Sequence, residues 1–179
     1  MDIYQPNLIL VGLMGSGKTA TGRELANLIH FNFLDMDYEI EQTMGKKIHE
    51  IFELHGEDFF REQEHLFLST VVFQQRMVLS CGGGCWVNDI SRKMLLKSGW
   101  CVWLQVSAEE AFYRISRHLV QRPLLSKTEN PLETLQKLKT IRDPLYELAH
   151  ASVDTDGYSP KQVAQEIYEM ILKKKPFEL

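Results

Sequence analysis

A chain of 179 residues with 24 acidic against 20 basic side chains, formal net charge -4, carries no electrostatic footprint for nucleic acid. Its 44% hydrophobic and 25% charged residues suit a globular chain with one sizeable core, and no apolar run reaches membrane-spanning length, so no membrane partner is expected. Its 3 cysteines are too few, and odd in number, for a disulfide framework, which points to a reducing compartment, the cytoplasm. Residues 1–6 lack the basic and apolar regions of a signal peptide.

In chain order, residues 7–11 read as a buried strand, because Leu8, Ile9, Leu10 and Val11 are consecutively apolar. Gly12-Leu13-Met14-Gly15-Ser16-Gly17-Lys18-Thr19 follows, then a helix over residues 20–29. A strand, a glycine-rich turn of the form G-x-x-x-x-G-K-[ST] and a helix together predict a phosphate-binding P-loop. Its backbone N–H groups and the positive helix end face the phosphates. Lys18 reaches the β- and γ-phosphates, and the Thr19 hydroxyl ligates Mg²⁺.

Residues 31–34 predict a second strand, ending in Asp35-Met36-Asp37. Two carboxylates two apart in a strand point the same way, toward the ligand crevice at the strand ends. One serves Mg²⁺ through water and the other takes a proton from a hydroxyl; Asp37 is also placed to cap the helix from Tyr38. Gly45 breaks that helix, Ile48, Ile51, Phe52 and Leu54 form an apolar stripe, Gly56 interrupts, and residues 59–75 predict a long amphipathic helix carrying Arg61. Residues 76–80 are a strand. No carboxylate follows it, which leaves Ser80 for the metal's water shell and Asp35 for the negative charge. Gly82, Gly83 and Gly84 come next, a glycine run whose use at a sheet's crevice end is close backbone approach to a small substrate. Cys81 and Cys85 flank it without the further ligands that zinc requires.

Ile90, Met94, Leu95 and Leu96 mark a helix closed by Gly99, and residues 100–106 read as a central parallel strand. Ser107 caps a helix, with Glu110 positioned for a capping box. Residues 122–131 are polar and proline-punctuated, a mobile lid whose Arg122 can close over transferring phosphate. Helical pattern returns over 131–150, carrying Arg142. Residues 151–154 are the last strand, and Ser159-Pro160 opens a helix to about 173. Lys173, Lys174 and Lys175 read as its solvated end. The alternation of strands and helices predicts an α/β fold: a three-layer P-loop kinase core around a five-stranded parallel sheet. One domain is expected over 1–179, with a lid at about 119–131.

Gly12 to Thr19, Leu34-Asp35-Met36-Asp37, Phe60-Arg61-x-x-Glu64, the three glycines, Arg122-Pro123-Leu124-Leu125 and Arg142-x-Pro144-x-Tyr146, in that order, resemble the shikimate kinase family over essentially the whole chain. The resemblance implies transfer of the ATP γ-phosphate to the 3-hydroxyl of shikimate, in aromatic amino acid biosynthesis. It implies Lys18, Asp37 and Arg122 as catalytic residues. ATP falls to Gly15, Ser16, Gly17, Lys18, Thr19, Ala20, Arg114, Arg122 and Tyr158, the last two helical and loop positions flanking adenine being Arg114 and Tyr158. Shikimate falls to Asp37, Arg61, Gly82, Gly83, Gly84 and Arg142, with the arginines on its carboxylate, and Mg²⁺ to Thr19 and Asp35. A monomer is expected. The alternatives are another small-molecule kinase of this fold, such as a gluconate kinase, or a non-catalytic P-loop module. A nucleotide kinase fits the arginines less well, and no guanine-reading Asn/Thr-Lys-x-Asp segment favours a GTPase.

Overall fold

The computed structural model describes residues 7–116, 119, 123–126 and 128–175. Five strands form one sheet: β1 (Asn7–Val11), β2 (Asn32–Asp35), β3 (Met77–Ser80), β4 (Gly99–Gln105) and β5 (Ala151–Asp154). Their order is β2-β3-β1-β4-β5 and every pairing is parallel. The central strands β1 and β3 are buried at every position, as strands covered on both faces must be.

The helices are α1 (Lys18–Ile29), α2 (Met36–Met44), α3 (Ile48–Val71), α4 (Asp89–Ser98), α5 (Ala108–Ile115), α6 (Pro123–Ser126), α7 (Pro131–Tyr146) and α8 (Pro160–Lys174). Side-chain alternation along β1 assigns them to layers. Leu8 and Leu10 pack with Leu25 and Ala26 of α1 and Val163 and Ile167 of α8. Ile9 and Val11 face the other way, onto Ile51, Phe60 and Leu68 of α3, Leu95 of α4 and Tyr146 of α7. A third cluster joins Leu13 to Ala111 and Ile115 of α5, Leu125 of α6 and Leu135 of α7, fastening the P-loop to the lid side. Each buried Leu or Ile contributes about 1.5–3 kcal/mol relative to exposure, so the two sheet faces supply most of the cohesion. No helix among the described residues is long and apolar enough to cross a membrane.

Several boundaries differ from expectation, each for a local reason. Helix α1 begins at Lys18, because Gly17 is its N-cap. Strand β2 ends at Asp35, and Asp35, not Asp37, caps α2: its Oδ1 accepts the Tyr38 N–H at 3.2 Å. Asp37 therefore lies in the first turn of α2 rather than on a strand. The interruption expected at Gly56 is present: its non-helical backbone (φ 83°, ψ 175°) divides the span α3 into two helical halves. Both halves pack on the same core, through Ile51 and Phe60.

Gly99 closes α4 as expected, as its C-cap, and in the same extended conformation starts β4; a Cβ there would collide with the Asn7 carbonyl of β1. The Ser107 hydroxyl accepts the Glu110 N–H, yet the Glu110 carboxylate turns to Arg114 instead of completing a capping box. Helix α7 ends at Tyr146, four residues short of expectation, because His150 joins the sheet. Its N–H donates to the Cys101 carbonyl and its Nδ1 accepts the Cys101 N–H at 2.9 Å. The segment read as a lid contains α6, with Leu125 buried, and the start of α7.

Candidate active site

All five strands deliver their C-terminal ends to one edge of the sheet, and the predicted chemistry gathers there. The P-loop leaves β1 and curls with positive φ at Gly15 (81°) and Gly17 (87°), a backbone that side-chain-bearing residues rarely adopt. Gly17 offers no side-chain cap and the first turn of α1 holds no acidic residue. The first N–H groups of α1 are thus left to an anion. The Lys18 ammonium donates to the Gly12 and Leu13 carbonyls, both at 2.9 Å, and lies 3.5 Å from the Ser16 hydroxyl. Ser16 itself is buried beneath the loop.

The Thr19 hydroxyl donates to Asp35 Oδ2 at 2.5 Å. Asp35 sits beside Ser80 in the β2–β3 register, so a hydroxyl, a carboxylate and a second hydroxyl converge. These are hard oxygen donors of the kind that suit Mg²⁺ rather than a soft metal. Among the described residues no group of three or more His, Cys, Asp or Glu forms a cage. This donor set therefore fits an ion that is completed by phosphate oxygens and water.

Arg114 donates to the Gly15 carbonyl, to the Thr155 hydroxyl and carbonyl, and to Glu110. It ties the P-loop to the chain leaving β5 while lining the phosphate cleft with Gly15, Gly17, Lys18, Thr19, Ala20, Asp35 and Asp37. Tyr158 is 52% exposed and is not in that lining. Arg122 lies outside the described residues.

A second cleft adjoins the first. Asp37, Arg61, Glu64, Arg142 and the three glycines line it, with Ile48, Phe52 and Phe60 as an apolar wall and Pro123 and Leu124 of α6 on the lid side. Met14, Asp37 and Gly83 line both clefts, so the two adjoin at these residues. The Gly83 carbonyl accepts the Tyr146 hydroxyl at 2.6 Å and Arg142 Nη1 at 3.1 Å, which anchors the glycine run to α7. Burial pushes the Tyr146 hydroxyl up to about 12, against the opposing influence of Arg142, so it remains a donor.

A Cβ on Gly82 would lie 2.5 Å from Glu64 Oε1 and 2.8 Å from Asp37 Oδ1; one on Gly84 would lie 2.5 Å from the Arg61 guanidinium. A side chain at either position would displace the charged groups that line the cleft. Arg61 donates to Glu64 Oε2 at 2.7 Å and through two nitrogens to Glu57 Oε1. Burial opposes its charge, but Glu64 and Glu57 more than offset this and raise its pKa.

Glu64 is the functional group that sequence reasoning left without a role. It is 2% exposed, and its Oε1 has no hydrogen-bond partner among the described residues. Burial, with the nearby Asp37 charge, raises its carboxyl to about 7, although Arg61 and Arg142 pull it down. A signal existed: Glu64 lies four residues after Phe60 and four before Leu68, on the buried stripe of α3. An acid on that stripe must be paired or functional.

Comparison with known proteins places this geometry. A family model described as Shikimate kinase matches residues 14–172. A shikimate kinase of Pseudomonas paraeruginosa is 44% identical over 171 residues, covering 95% of this chain and 98% of that protein. The structure of shikimate kinase from Acinetobacter baumannii in complex with shikimate is 41% identical with a TM-score of 0.92, covering 96% of this chain and 95% of that one. A gluconokinase from Sinorhizobium meliloti shares the fold at 18% identity and a TM-score of 0.63, over 96% and 94% of the two chains.

Proposed function

The chain belongs to the shikimate kinase family, an ATP-dependent kinase of shikimate, and from that premise we propose how its two clefts divide the reaction. The observation that carries the reading is that Asp37 lines both clefts. A phosphate donor on one side and a hydroxyl acceptor on the other meet at one carboxylate.

The P-loop N–H groups and Lys18 hold the β- and γ-phosphates. In the second cleft Arg61 and Arg142 bind the shikimate carboxylate by charge-assisted hydrogen bonds, and Glu64 holds Arg61 in place. Asp37 orients the 3-hydroxyl and accepts its proton as the oxygen bonds to the γ-phosphorus. The bond from that phosphorus to the bridging oxygen breaks, and ADP leaves, stabilised by Lys18. The products are shikimate 3-phosphate and ADP. Positioning and electrostatics carry such a transfer, with little covalent work for the protein.

Thr19 and Asp35 are the residues that would hold Mg²⁺, which when bound neutralises phosphate charge. Arg122, carried over from the family resemblance, adds positive charge from the lid, and closure of residues 119–131 excludes water. Arg114 and Tyr158 flank adenine in the same reading. One chain of a single domain carries both clefts, so a monomer suffices. Three free thiols suit the reducing cytoplasm.

The test is ADP release from ATP and Mg²⁺ with shikimate, with gluconate and with no acceptor. Release that depends on shikimate is expected. Release only with gluconate would move the acceptor assignment, and ATP binding without acceptor-dependent release would leave a P-loop binding module.

A further inference from the structure

Between β5 and α8 the chain carries two residues to which the phosphoryl transfer gives no part, Thr155 and Asp156. Thr155 is 1% exposed. Its N–H donates to the Gln105 carbonyl of β4 at 3.0 Å, just beyond the last pair of the β4–β5 register. Its hydroxyl donates to the same carbonyl at 2.7 Å. The backbone bond already satisfies that carbonyl, so the sheet does not require the hydroxyl. The second bond instead fixes the direction of the hydroxyl. With its one proton on Gln105, the oxygen presents its lone pairs as an acceptor. Arg114 Nη1 donates to it at 3.1 Å, and Arg114 Nη2 donates to the Thr155 carbonyl at 2.5 Å. One buried residue thus takes both terminal nitrogens of the guanidinium.

The same guanidinium reaches the P-loop. Arg114 Nη1 also donates to the Gly15 carbonyl at 3.2 Å, and Nε donates to Glu110 at 2.8 Å. Gly15 rests on α5 so closely that a Cβ there would lie 2.8 Å from the Ala111 carbonyl and 2.9 Å from its Cα. Helix α5 is therefore the surface on which the loop sits. Its start is fastened as well: the N–H of Ser107, the N-cap of α5, donates to both carboxylate oxygens of Asp156, at 3.0 and 3.2 Å. Asp156 grips the beginning of α5 and Thr155 grips Arg114 near its end.

We propose that Thr155 is a positioning residue for the phosphate donor: its hydroxyl and carbonyl fix Arg114 against the Gly15 carbonyl, and so shape the P-loop before the nucleotide arrives. The inference rests on the reading of the first cleft as the nucleotide's. A charge-assisted hydrogen bond to the hydroxyl is worth more than a neutral one, and its loss leaves a guanidinium N–H without its acceptor. Arg114 is then less firmly held on Gly15, and part of the binding energy goes into ordering the loop. The cost falls on nucleotide affinity and not on the chemical step, because a bound γ-phosphate still meets Lys18 and Asp37. Shikimate affinity is unaffected, because Arg61 and Arg142 belong to the other cleft.

The experiment titrates the full chain by calorimetry with a non-hydrolysable ATP analogue in the presence of Mg²⁺ and, separately, with shikimate. Thr155→Val keeps the branched shape and drops the hydroxyl; Thr155→Ser restores it. Thr155→Val is expected to bind the analogue about 10-fold more weakly, the worth of one hydrogen bond to a charged group. Its shikimate affinity and its kcat at saturating ATP stay within about 2-fold of wild type, while KM for ATP rises by the same factor as the analogue's Kd. Thr155→Ser recovers the wild-type affinity. In an Arg114→Met background Thr155→Val adds nothing, because its effect passes through the guanidinium. Unchanged analogue affinity in Thr155→Val would overturn the proposal. So would equal weakening of both ligands, or a loss that persists in full on Arg114→Met. A wild-type chain that does not bind the analogue would remove the nucleotide reading of the cleft, and this inference with it; wild-type binding that Thr155→Val leaves intact removes this inference alone. Should Thr155→Val not fold, Arg114→Lys takes its place, since one ammonium cannot span Gly15 and both Thr155 oxygens. An about 10-fold loss of analogue affinity supports the role, and wild-type affinity overturns it.

Discussion

Lys18 folds back onto the Gly12 and Leu13 carbonyls of its own loop, and its role is open to a direct test. With its ammonium removed the P-loop keeps its glycine geometry and its buried Ser16, so Lys18→Ala is expected to fold normally and to lose about 10²–10³-fold or more in kcat. Near-normal turnover would contradict its place on the phosphates. Glu64 makes a finer prediction. Its carboxyl, lifted to about 7 chiefly by burial, ionises near neutrality and in its ionised form holds Arg61 at 2.7 Å. The rate at low shikimate should therefore rise with pH through about 7, and Glu64→Gln should remove that limb. A Gln variant with an unchanged pH profile would show that another group titrates there. At this scale the P-loop side chains and Asp37 are legible in the sequence alone. The motif states its own geometry, since only a phosphate cradle needs glycines, lysine and threonine at that spacing. Arg142 was readable only by family resemblance, because its importance comes from the Gly83 carbonyl, 59 residues away in sequence. No local pattern reports such a contact.

Elements were legible where a run of apolar residues was long and unbroken, as in β1 and β4. They were misread where two elements share a residue. Asp35 closes β2, caps α2 and accepts the Thr19 hydroxyl, so strand and helix meet without a connecting loop. Strand periodicity assigned Asp37 correctly to the crevice for the wrong reason: the first turn of a helix, not the pleat of a strand, aims it there. Asp35→Ala removes a cap, expected to cost about 0.5–2 kcal/mol by urea denaturation. It should also weaken the response of activity to Mg²⁺ concentration. A variant with unchanged stability would mean that water caps α2 equally well. Gly99 is shared in the same way: it closes α4, as its sequence position announces, and also opens β4 against the Asn7 carbonyl, which no local pattern reports.

The sheet as a whole followed from the βα alternation. Its strand order did not, because which helices cover which face depends on contacts such as Leu10 with Val163, far apart in the chain. Stability of the whole molecule should carry two opposing pH dependences. The His150 ring accepts the Cys101 N–H in its neutral form, and burial lowers its pKa below 6.5. Its contribution is full above about 6.5 and is lost as pH falls through the lowered folded value. Glu64 acts in reverse: with the folded carboxyl near 7 and the unfolded one near 4.5, stability falls as pH rises across that interval. Urea midpoints between pH 4.5 and 8 should show His150→Gln flattening the acid-side loss, and Glu64→Gln gaining relative stability at pH 8 over pH 4.5. Two variants with parallel pH curves would rule out this assignment.

Met14, Asp37 and Gly83 form the boundary that the two clefts share. A single molecule joining a nucleoside polyphosphate to a cyclic hydroxy acid would cross that boundary, past Asp37, to seat both halves. Once one half is seated, the other is confined near its own binding groups at an effective concentration of about millimolar for a short tether. The chimera would outbind either fragment by a factor set by the span across Asp37, so a ladder of tether lengths would act as a ruler for the distance over which phosphate has to travel.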